Sequence, residues 1–231
     1  MLIALLASPA QAWETLTNTS GSEIRWVVMP IEFGINPHND AGLDEAGVEA
    51  AIRRASSVWG DVPGSEIGFQ VGETEVAETA HDGQAAVYFQ SAWEHDPDLL
   101  ALTSNWSTPE GQIVSFDVAV NTADHTWSLS GEEGHADLQN TMAHEFGHVL
   151  GLAHELEEAE ATMWSSSPSG ELKKRDLHVL DELGAAYLYP PIEREEPYGC
   201  ATAPVAGFWL LALMAIRRRS DPEDGGFACR S

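Results

Sequence analysis

The apolar positions from Ile24 to Ile35 alternate in part, with Trp26, Val27, Val28, Ile31 and Phe33 suiting a strand. Pro30 lies in the middle of that run and cannot donate to a ladder, which predicts an edge position or a bulge. Val48, Ile52, Ala55 and Trp59 then recur at helical spacing. An amphipathic helix is expected from about Asp44 to Trp59, with Trp59 as a core anchor. Short apolar runs at Ile67 to Val71 and Ala85 to Gln90, bounded by Gly, Asp and Gln, read as strands. Gln112 to Asn121 follows a Pro109-Glu110-Gly111 turn and reads as another. One helix set between several strands, with more helix after them, predicts an α+β layered domain.

Leu138, Met142, Phe146, Val149 and Leu150 form a single apolar stripe, and Asp137 supplies the N-cap of the helix that carries it. On a helical wheel His144 and His148 point away from that stripe. The helix therefore buries one side and presents two imidazoles on another, and Gly151 has the backbone freedom to end it and turn the chain. A last helix is expected from about Lys173 to Tyr187, with Leu172, Leu180, Leu183 and Tyr187 among its apolar positions and Pro190-Pro191 as its stop. No internal repeat is visible.

The two ends read differently. Met1 to Ala12 is an apolar run closing on small residues, Ala10-Gln11-Ala12, which fits an export signal with Trp13 as the first mature residue. No basic residue precedes the run, and a buried N-terminal segment is the alternative. Residues 191–199 are acidic and proline-flanked, a linker. Residues 200–231 hold Cys200, an apolar run from Val205 to Ile216 and the basic stop Arg217-Arg218-Arg219. The run is shorter than the roughly 20 residues that span a bilayer.

The 231 residues carry 37 acidic against 11 basic side chains, a formal net charge of −26. Such a surface repels phosphate backbones and argues against nucleic-acid binding. It fits solubility and salt adaptation as readily as steering of a cationic partner. Both cysteines, Cys200 and Cys229, lie in the tail. The folded body is thus expected to have no disulfide framework, thiolate metal site or cysteine nucleophile.

The chemistry concentrates in His144-Glu145-Phe146-Gly147-His148-Val149-Leu150-Gly151-Leu152-Ala153-His154. Imidazoles at i and i+4 share a helix face at a separation that lets both reach one ion. A third ligand must approach from another direction, and the turn at Gly151 allows His154 to do so. Three neutral nitrogens leave zinc its charge and one open position, the arrangement of a catalytic rather than a structural site. Glu145, beside both ligands, is placed to take a proton from water.

This string resembles the metzincin signature of zinc metallopeptidases. Met163, in Ala161-Thr162-Met163-Trp164-Ser165, resembles the methionine that the family sets in a turn below its metal, implying an apolar floor rather than a ligand. The short body, the segment Gly111 to Asn121 with Trp127 following, and Leu188-Tyr189-Pro190 resemble the matrixin branch. The likeness covers about Ser22 to Pro190. It implies a twisted mixed sheet, two main helices above an active-site cleft, and a small C-terminal helical subdomain. It also implies an extended peptide substrate pairing with an edge strand, taken as Ile113 to Val120, and a side-chain pocket beside Met163. Structural calcium is a family trait with no residues to assign here; the Glu155 to Glu160 run reads as a solvated acidic loop. No cysteine precedes the domain in this sequence, so latency by thiol ligation is not expected, and Ser165 stands where some metzincins have an extra tyrosine ligand. The tail resembles the myxobacterial Gly-Cys sorting signal, apart from the further segment Ser220 to Ser231.

The expectation is an exported, monomeric zinc endopeptidase, secreted or at the cell surface. Residues 1–12 would be its signal, 13–190 its catalytic domain, 191–199 a linker and 200–231 a sorting or anchor tail with transient membrane association. Two alternatives stay open: a surface-displayed zinc-containing binding module with little turnover, and a hydrolase of non-peptide substrates. The other histidines, His38, His81, His95, His125, His135 and His178, are scattered; a second zinc near His81, or a place near the cleft for His135, is the minor option.

Overall fold

A computed structural model describes residues 13–191. The signal, linker and tail assignments fall outside these residues, apart from the linker's first position. Five strands form one mixed sheet: β1 (Ile31–Ile35), β2 (Phe69–Glu73), β3 (Ala86–Gln90), β4 (Ala101–Ser107) and β5 (Ile113–Asn121). Their order is β2-β1-β3-β5-β4. The pairs β1–β2, β1–β3 and β3–β5 are parallel, while β4 lies antiparallel to β5 at one edge. Helix α1 (Glu45–Gly60) makes the crossover that the parallel β1–β2 pair requires. The two-residue strands β6 (Trp127–Ser128) and β7 (Ala136–Asp137) lead into helix α2 (Leu138–Val149), and α3 (Val179–Leu188) follows much later. The fold is α+β, with helices packed on the sheet.

Both main helices form where the apolar spacing places them. Asp44 caps α1 by accepting from the Gly47 N–H at 2.8 Å. Trp59 is fully buried and its indole N–H donates to the Ala143 carbonyl of α2 at 2.9 Å, so one side chain both fills the core and ties the helices together. Phe146 of α2 packs against Phe33 of β1 with ring centroids 5.3 Å apart, and Phe33 in turn meets Phe116 of β5 at 5.7 Å. These aromatics fix the rotation of α2 about its axis, and thereby the direction its polar face looks.

Four expectations are corrected. Pro30 stands one residue before β1, so it removes no ladder bond, and β1 runs between β2 and β3 rather than at an edge. Val27 and Val28 are exposed instead of forming the start of that strand. The strand from Ile113 is likewise interior, flanked by β3 and β4, and the edge on that side belongs to β4. Finally, Lys173–Arg175 form only a 3-10 turn, and the last helix begins at Val179. His178 caps it by accepting from Leu180 N–H, while Asp181 accepts from the His178 N–H, a reciprocal box that sets the start. Its buried face is Asp181, Gly184, Ala185 and Leu188; Leu183 and Tyr187 are exposed. Among the described residues no helix is long and apolar enough to cross a membrane.

Candidate metal centre

Asp137 caps α2 as its sequence predicts, accepting from the Asn140 N–H at 2.9 Å. Its carboxylate also takes two donors from Arg175, Nε to Oδ1 at 2.9 Å and Nη2 to Oδ2, so the helix start is held from the far side of the chain. The other end is capped just as closely. The Asn105 amide donates to the His148 carbonyl at 2.8 Å, the Trp26 indole to Val149 at 2.9 Å and the Tyr189 hydroxyl to Leu150 at 2.6 Å. Carbonyls that an ending helix leaves unpaired are thus satisfied from three separate segments.

Gly151 adopts φ +95°, and a Cβ built there would stand 2.2 Å from the Ile24 carbonyl oxygen. Only glycine suits both the left-handed backbone and the close approach. The chain reverses at this point and brings His154 back to α2. The ligand-competent atoms of His144, His148 and His154 all lie within 4.8 Å of one another. Among the described residues no other three such side chains gather. His81 instead stacks on Trp106, His178 caps α3, and His135 sits against the Glu133 carbonyl.

The donor set fits zinc. Carbonyl oxygens only accept, so His144 Nδ1, 2.7 Å from the Thr162 carbonyl, and His148 Nδ1, 2.8 Å from that of Leu152, both carry hydrogens. Their Nε2 lone pairs are therefore free to bind metal. His148 Nε2 and His154 Nε2 are 3.2 Å apart. Two imidazole nitrogens on one tetrahedral zinc lie roughly 3.3 Å apart, given bonds of about 2.0 Å. Burial lowers the proton affinity of all three rings and Lys174 adds to it in each, as neighbouring histidines do at His144 and His154, which keeps the nitrogens neutral and available.

The surroundings hold this geometry. Both oxygens of buried Asp181 accept backbone N–H groups, from Thr162 at 2.7 Å and Met163 at 3.0 Å. Thr162 then offers its carbonyl to His144. Met163 is buried, with its sulfur so close to α2 that a Cβ on Gly147 would come within 2.1 Å of it. Glu145 is buried as well. The Thr103 hydroxyl of β4 donates to its Oε2 at 2.6 Å. Burial raises the Glu145 proton affinity and the Thr103 hydrogen bond opposes the rise. Thr103, Asn105, Asp181 and Lys174 had no signal in the sequence, because each acts through an approach of segments far apart in the chain.

Glu145 and the three histidines open on a cleft of about 700 Å³. Leu100 to Thr103 of the β4 region line it on one side and Ser165, Ser166, Ser167 and Ser169 line it elsewhere. The matrixin family profile matches residues 25–190, most of the chain and all of this site. The chain belongs to the matrixin family. That places it among zinc metalloproteases. The relatives it resembles include matrix metalloproteinase-18 of Xenopus laevis, 31% identical over 150 residues, which are 64% of this chain and 30% of that protein. Metalloendoproteinase 1-MMP of Arabidopsis thaliana is 30% identical over 160 residues, 64% of this chain and 40% of the relative. Human stromelysin-3 is 34% identical over 121 residues, 48% of this chain and 22% of the relative. This matrixin therefore spans well under half the length of each of them.

Proposed function

We propose that this matrixin is an endopeptidase in which His144, His148 and His154 hold one zinc ion and Glu145 is the general base. The convergence of three imidazoles within 4.8 Å at the floor of a cleft that Glu145 shares carries the reading. Bound there, zinc supplies Lewis acidity for the scissile carbonyl and for the attacking water. Glu145 accepts the proton that water loses and delivers it to the leaving amine nitrogen. Thr103 holds one carboxylate oxygen, so the other keeps a fixed direction for that transfer. The free edge of β4 offers unpaired backbone groups, and an extended peptide adds to it as a further strand across the cleft. Met163 and Gly151 support the centre, one as packing beneath α2 and the other as the turn that returns His154. The run from Met1 to Ala12 supports export, and with it action on proteins or peptides outside the cell.

The full chain, incubated with a library of internally quenched peptides, is expected to cut internal bonds. A zinc chelator abolishes this and added zinc restores it. A zinc-loaded protein that binds peptides and never cuts them would instead establish a binding module.

A further inference from the structure

We propose that Lys174 and Thr141 form a specificity subsite that selects an acidic side chain, Asp or Glu, at a substrate residue flanking the scissile bond. The proposal rests on the endopeptidase reading above and deepens it.

Lys174 is the one lysine or arginine among the residues lining the cleft, and it is 2% exposed. Its backbone N–H is pinned to the Asn140 side chain of α2 at 2.8 Å. An ammonium has three donors. One goes to the Trp164 carbonyl, at the start of the serine-rich wall. Among the described residues no carboxylate forms an ion pair with it. Glu171 is the acidic neighbour it senses most, and Glu171 Oε1 is itself buried without a partner. Glu171, Glu145 and Asp181 act on it only through space, so an incoming carboxylate in direct contact meets an unfilled demand.

Thr141 gives an independent sign. It lies on α2, lines the same cleft and is 4% exposed, yet its hydroxyl has no hydrogen-bond partner among the described residues. Buried hydroxyls rarely go unpaired, and this one borders the space a substrate would fill. Ser165, Ser166, Ser167 and Ser169 line the same cleft, and that stretch has no aromatic or large aliphatic side chain. A leucine side chain there would leave both Lys174 and Thr141 unsatisfied, whereas a carboxylate accepts from both.

A peptide extended along β4 turns alternate side chains toward the sheet's two faces. With its scissile carbonyl at the histidines, a residue beside that bond faces the Thr141–Lys174 side of the cleft. The net charge of −26 opposes an anion at long range. That field is screened within about 8–10 Å at physiological salt, while a contact inside the cleft is not. Burial pushes the Lys174 ammonium down to about 8, with Glu171 opposing, so it still carries its charge at neutral pH.

The test uses the zinc-loaded full chain and three peptidyl hydroxamates that differ only in a Glu, Gln or Leu side chain beside the chelating group. Calorimetry is expected to show the Glu compound binding about tenfold tighter than the Gln compound. Lys174→Met flattens that ratio, and the isosteric Thr141→Val lowers it by less. A peptide library varied on both sides of the cut then enriches Asp and Glu on one side. Equal binding of Glu and Gln by the wild type, tighter binding of Leu, or a Glu preference that survives Lys174→Met overturns the subsite. Since the wild-type ratio needs no variant, poor folding of Lys174→Met leaves the test intact. Discrimination among hydroxamates without cleavage of any peptide supports the subsite and removes the endopeptidase reading. Cleavage with no acidic preference does the reverse.

Discussion

Glu145→Gln is expected to lower kcat/KM on an internally quenched peptide by about 10³-fold while leaving the bound zinc in place. The substitution keeps the shape of the side chain and its hydrogen-bonding contact with the Thr103 hydroxyl. It removes only the ability to accept a proton. Glu145 offers no nitrogen to the histidine group, so metal content should match the wild type by mass spectrometry. KM should change little, because the loss falls on the transition state and not on peptide binding to β4. A variant that keeps wild-type kcat would remove Glu145 from the mechanism. A variant that also loses zinc would make it a support of the metal instead.

Gly151→Ala is expected to destabilise the chain by about 3 kcal/mol, combining a left-handed backbone with a clash. The new Cβ falls 2.2 Å from the Ile24 carbonyl oxygen, a backbone atom that no rotamer can move aside. In a domain of this size the melting temperature should drop by roughly 10 °C in differential scanning calorimetry. The consequence extends to the metal. Leu152 follows Gly151 and its carbonyl orients His148, while His154 depends on the same reversal of the chain. Zinc affinity measured by chelator competition should fall with stability. An alanine variant that melts with the wild type and holds zinc as tightly would show that the reversal tolerates a side chain.

The parts of this molecule legible in its sequence are those written in local periodicity. The stripes of α1 and α2 announce both helices, and Asp44 and Asp137 mark their starts. The histidine spacing on α2, followed by a glycine, describes the candidate centre before any contact is known. Edge strand β4 stays hidden because Ala101-Leu-Thr-Ser-Asn-Trp-Ser107 is mostly polar and half-buried along its length. A strand that borders a cleft has no clean alternation to show, since its inner face meets solvent and the Glu145 carboxylate. The family likeness implies an edge strand without saying which segment forms it, and the strongly apolar Ile113 to Val120, taken for that edge, is buried along nearly its whole length as an interior strand. The last helix starts later than its apolar spacing predicts for a related reason: its buried face holds Asp181 and Gly184, while apolar Leu183 and Tyr187 point outward. Asp181 is buried to hold the turn at Thr162 and Met163, a long-range task that leaves no local trace.

Counting zinc atoms per chain by mass spectrometry, in the wild type and in His154→Ala, tests the three-histidine centre most directly. His154 is the exposed member of the trio, so its loss spares the core while withdrawing one nitrogen. One zinc per wild-type chain and a largely metal-free His154→Ala protein is the predicted result. A wild type that refuses zinc, or a variant that retains it undiminished, would contradict the centre described here.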